Sequence, residues 1–242
     1  GMPRHRRKQK EPTVKKILAA AIVMVPSVAL AGIVGSMHDL SSSNNTAGAY
    51  AAAGQTNQVC EFCHVPHNAR TDINAIWNRA DTATTYGWGA YTSTVAGTSL
   101  PVNVGSGSVK CFSCHDGSLS LGSLFNGRNY TMAGADQTGG ALTNNTFIVD
   151  DANMAGNHPV SVRYPNQVPA GNYNGTTTGA QINTAGYKDT ATVIGNGMYL
   201  YTDATVYGIE CGSCHEPHDT TYSYFLRDTI AQSALCLDCH TK

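Results

Sequence analysis

Residues 60–67 read Cys60-Glu61-Phe62-Cys63-His64-Val65-Pro66-His67, and the pattern returns as Cys211-Gly212-Ser213-Cys214-His215-Glu216-Pro217-His218. Two further runs repeat its first five positions: Cys111-Phe112-Ser113-Cys114-His115 and Cys236-Leu237-Asp238-Cys239-His240. Together these four C-x-x-C-H runs use all eight cysteines of the 242-residue chain. Any reading of the fold has to account for that spacing.

C-x-x-C-H is the attachment pattern of c-type haem. Two thiols add to the two porphyrin vinyl groups, the two-residue spacer matches the reach between them, and the next residue aims an imidazole at the iron. Zinc would need two C-x-x-C pairs brought together and leaves the histidines unexplained. A thioredoxin-like dithiol expects one motif beside a βαβ pattern, and paired structural disulfides again ignore the histidines. The expectation is four covalently bound haem c groups. They are attached through Cys60, Cys63, Cys111, Cys114, Cys211, Cys214, Cys236 and Cys239, with His64, His115, His215 and His240 as iron ligands.

Five histidines remain, of which His5 lies in a basic leader. Four irons then face four spare histidines: His38, His67, His158 and His218. His67 and His218 each follow a motif histidine by three residues, too close to bind the same iron from its other face. Each is expected to reach a neighbouring haem, and proximity assigns them to the second and fourth motifs. His158, followed by Pro159, is the one histidine in the long gap between the second and third motifs. His38 lies seven residues beyond Ala31, at the predicted mature N-terminus. With two histidines per iron, no coordination position stays open for a substrate, so the chemistry expected is electron transfer and not catalysis.

Residues 1–31 hold seven of the fifteen Lys and Arg, an apolar run from Ile17 to Leu30 and the small-residue site Ala29-Leu30-Ala31. This is the tripartite pattern of a cleaved secretory signal peptide. Apolar character continues to Met37, so an uncleaved anchor is the competing reading. Residues 32–242 are expected to form one tetrahaem domain, outside the cytoplasm and without a membrane span. From Gly32 onward eight basic side chains stand against fifteen acidic ones, a formal balance of −7. That balance argues against gripping nucleic-acid phosphates.

The gap between the second and third motifs is rich in Gly, Asn and Thr and shows little helical periodicity. The fold class expected is mostly irregular coil, with short helices at the haem motifs and a few short β-hairpins, wrapped around haems that serve as the core. Residues 191–201 read as a hairpin around Gly195-Asn196-Gly197. Residues 86–94 read as strand-like, and helical turns are expected near 72–79 and 229–239.

His38-Asp39-Leu40-Ser41-Ser42, the Cys60–Asn68 run, Cys114-His115-Asp116-Gly117 and Asn157-His158-Pro159-Val160 together resemble exported multihaem cytochromes. Within these, the tetrahaem count is similar to the outer-surface cytochromes of metal-respiring bacteria and their archaeal counterparts, which form filaments. The resemblance implies a head-to-tail homopolymer in which one iron takes its distal histidine from the next subunit, a role for which His38 is the candidate. It implies a continuous haem chain passing electrons to redox partners or to extracellular acceptors such as minerals. The alternatives are a monomeric periplasmic tetrahaem shuttle and a multihaem reductase with an open haem site.

Overall fold

Ten residues, Ser106–His115, form α1, the longest helix among the described residues, and it carries the whole second motif. Gly117 ends it: its φ of +71° is left-handed, and its N–H reaches the Cys114 carbonyl while Asp116 N–H reaches that of Phe112. Glycine is favoured at such a helix stop because it carries no Cβ penalty there. The other motifs form shorter turns, a 3-10 turn at Val59–Phe62 and the single α-helical turns Cys211–Cys214 and Ala234–Leu237. This computed structural model describes residues 32–45, 48–80, 86–101, 103–150, 153–167, 171–176 and 184–241. The leader at 1–31 lies outside them.

Strands are short and antiparallel. β1 (Tyr50–Ala51) pairs with β2 (Met132–Ala133), and β3 (Gln137–Thr138) with β4 (Ala141–Leu142). β5 (Val162–Arg163), β6 (Tyr201–Asp203) and β7 (Val206–Ile209) form a three-stranded sheet in the order β5-β7-β6. Each sheet is too small to bury a face of its own.

Apolar side chains gather in three separate clusters, each bordering motif cysteines. Phe62, Leu121, Leu124 and Met132 pack beside Cys63 and Cys114. Tyr86, Trp88, Phe112 and Met154 pack beside Cys211. Val162, Tyr164, Val193, Met198 and Ile209 pack beside Cys239. The apolar interior is therefore divided among the attachment points.

Three local expectations are corrected. Residues 190–195 form a helix, α2, and not the first arm of a hairpin. The Asp189 side chain accepts from Thr192 N–H at 3.0 Å and caps it, and Gly197 at φ +94° ends it. An N-cap and a glycine stop together outweigh the strand propensity of Val193 and Ile194. Residues 86–94 make no strand; Tyr86 instead lays its ring 4.6 Å from that of Phe112. Residues 72–79 are turns and extended chain, because Ala75 (φ +74°) and Ile76 (φ +47°) leave the helical region before Trp77 bridges His64.

Candidate haem sites

At each motif the first requirement is a helical turn that brings both cysteines to one side, and the second is an imidazole held in one tautomer. His64 Nδ1 lies 2.7 Å from the Ala75 carbonyl, His115 Nδ1 2.7 Å from Phe147 and His215 Nδ1 2.8 Å from Tyr224. For His240 the hydrogen-bond partner is the Gly186 backbone. An Nδ1–H donated to a carbonyl leaves Nε2 as the free lone pair, the arrangement found behind metal-bound histidines. The partners come from four separate stretches of the chain.

The spare histidines then meet motif histidines across the chain. Ring centroids are 5.9 Å apart for His38 and His115, 6.0 Å for His64 and His218, and 6.4 Å for His158 and His240. Two imidazoles on opposite sides of one metal, at about 2 Å per metal–nitrogen bond and about 1 Å more to each ring centre, stand about 6 Å apart. The three pairs match that spacing. Burial pushes His38 down to about 4, helped by His115, and also lowers His115 and His240, so these rings are held in the neutral form a metal requires. Stacking on Phe225 at 4.3 Å fixes the His38 ring, and His158 Nδ1 lies 2.9 Å from the Pro159 carbonyl.

These pairs revise the sequence assignment. His218 faces the first motif, and the fourth is faced by His158. His38 has a partner within its own chain at the second motif, which removes the reason for sending it to a neighbour. His67 is exposed, and among the described residues no histidine ring stands opposite it or opposite His215. Sequence reasoning could not find this pairing, because it depends on how the long connections run.

The cysteines show how the motifs follow one another. Cys63 is pushed up to about 12 by burial and then by Cys114. Cys111 is raised first by its hydrogen bond with Cys211, and burial adds to this. Burial and the neighbouring Cys211 and Cys236 raise Cys214 to about 11, and burial followed by Cys214 raises Cys239 to about 12. First motif lies by second, second by third and third by fourth. No cysteine is in a disulfide. Among the described residues no group of three or more His, Cys, Asp or Glu converges to hold a bare metal ion; the histidines meet in twos.

Residues 204–242, which span the third and fourth motifs, match the doubled CXXCH motif family. No curated protein matches the chain. The match marks a multihaem c-type cytochrome-like region, in which C-x-x-C-H motifs indicate covalently bound c-type haem. It supports a haem-binding, electron-transfer cytochrome.

Proposed function

We propose that the chain is a tetrahaem cytochrome that relays electrons along a row of haems and polymerises head to tail outside the cell. The observation that carries this reading is the set of three histidine pairs at iron-spanning distance. Haem, when bound, supplies reversible one-electron transfer at its iron. The chain's contribution is to hold each iron between two imidazoles, so that no position remains for a foreign molecule and the centres relay charge without catalysis. Bis-histidine ligation places the potentials low relative to Met/His ligation. The serial order of the motif cysteines keeps successive haems close, which transfer between them requires.

The third iron is the exception within one chain. Among the described residues His215 has its carbonyl-fixed tautomer but no histidine ring opposite, and His67 is exposed with no ring partner. His67 of one copy serves the third-motif iron of the next. A contact made by two different patches does not close on itself and generates a filament. His67 thus takes the bridging role that the sequence resemblance gave to His38. Secretion follows from the leader pattern, which places the filament where minerals or partner cells can accept electrons.

Negative-stain imaging and haem spectroscopy of wild type and His67→Ala test the reading together. Wild type is expected to show four haems per chain and long filaments; His67→Ala is expected to remain monomeric with one high-spin haem. Filaments of unchanged length in His67→Ala would remove His67 from the contact. Monomers with four low-spin haems in wild type would favour the periplasmic shuttle.

A further inference from the structure

Glu210 stands immediately before the third motif and is fully buried. Its carboxyl group gathers hydroxyls from three distant stretches. Ser108 and Ser161 donate to Oε2, the latter at 2.7 Å, and Tyr173 donates to Oε1 at 2.7 Å. Both serine oxygens are also acceptors, Ser108 from Cys211 N–H at 3.0 Å and Ser161 from Gly105 N–H at 2.7 Å. Ser213 accepts from Glu210 N–H at 3.0 Å and closes a capping box on the turn Cys211–Cys214. A buried acid is costly unless it is hydrogen-bonded, and here both oxygens have partners.

The network joins the second motif to the third. Ser108 lies in α1 three residues before Cys111, and its hydroxyl ties that helix both to Glu210 and to the Cys211 backbone. The start of α1 rests directly on Glu210: a Cβ at Gly107 would stand 2.7 Å from Glu210 Cγ, and one at Gly105 2.5 Å from Oε1. At the same junction the Cys111 and Cys211 side chains are hydrogen-bonded to each other. These two cysteines are attachment points for different haems, so whatever holds α1 on the third-motif turn also sets how far apart those haems begin. Electron transfer between two centres falls steeply as the gap between them widens.

We propose that Glu210 is a positioning residue for electron transfer: through Ser108 it locks α1 to the third-motif turn and fixes the separation of the second and third haems. The proposal rests on the tetrahaem reading above. A satisfied buried polar network specifies one arrangement of the parts it joins. The competing account is a helix cap that serves the third-motif turn alone. That role would alter melting temperature and leave the haems arranged as they are.

Soret circular dichroism of the haem-loaded protein separates the two, because neighbouring haems in a fixed relation give a paired positive and negative band. Glu210→Ala is expected to lose part of that couplet while keeping four haems per chain. Glu210→Gln, which keeps an oxygen for the two serines, is expected to retain it. Ser108→Ala, which cuts the link between the motifs and leaves the Ser213 cap in place, is expected to lose it as Glu210→Ala does. A wild-type couplet in Glu210→Ala with four haems bound would overturn the proposal, as would an equal loss in Glu210→Gln. Should Glu210→Ala fail to load haem, Ser108→Ala decides on the same terms. Fewer than four haems in wild type would instead indict the tetrahaem reading.

Discussion

His64, His115 and His215 each commit Nδ1 to a backbone carbonyl, and His240 bonds the Gly186 backbone; on the proposed reading that commitment leaves the other nitrogen free to act as a ligand. Among the distal partners His158 is the better target for substitution, because His38 is packed against Phe225. His158 is exposed, so replacing it disturbs little besides the fourth iron. His158→Met should keep all four haems and raise the potential of the fourth, since Met/His ligation sits above bis-histidine. Redox titration should show about one quarter of the absorbance change moving upward; an unchanged curve would mean that His158 is not a ligand. Glu210 makes a separate, pH-dependent prediction. Burial pushes its carboxyl up from the usual 4.5, against the pull of the Ser108, Ser161 and Tyr173 hydroxyls. The folded chain therefore holds this proton more tightly than the unfolded one. The stabilisation is complete below the unfolded value and is lost as pH rises through the raised folded value. Glu210→Gln should flatten that decline in melting temperature, and a slope identical to wild type would show that Glu210 does not titrate in this range.

At the scale of elements, the motif turns were legible because covalent attachment makes a local demand: two cysteines on one side of a single turn. Connections between motifs were less legible. Residues 191–201 read as a hairpin around Gly195-Asn196-Gly197, while the decisive residues are the flanking cap Asp189 and the stop at Gly197. Asp189→Ala should destabilise α2 by about 1 kcal/mol. Faster amide exchange confined to residues 190–195 would show it, and unchanged exchange would mean that packing of Val193 alone holds the helix. Gly122 presents a harder constraint. A Cβ there would sit 1.9 Å from the Tyr130 carbonyl oxygen, which is backbone and cannot step aside. Gly122→Ala should cost about 1–3 kcal/mol, read as a lower denaturation midpoint; an unaltered midpoint would mean that the 122–130 loop moves freely.

For the whole molecule, the histidine inventory was readable from composition while its pairing was not. That His38 meets His115 and His218 meets His64 follows from long-range chain paths, and no local pattern encodes them. The apolar interior is likewise split into three clusters around cysteines, so no one of them supplies a continuous core. Chain produced without haem attachment should therefore lack fixed tertiary structure, by the coupling that links metal binding to folding. Near-UV circular dichroism of such material should be featureless, and a native-like spectrum would show that the polypeptide folds unaided. The central claim is that every iron in the assembled protein is clamped between two imidazoles. Electron paramagnetic resonance of the oxidised, assembled protein tests it most directly: the account predicts four low-spin ferric centres per chain, and a stoichiometric high-spin signal would contradict it.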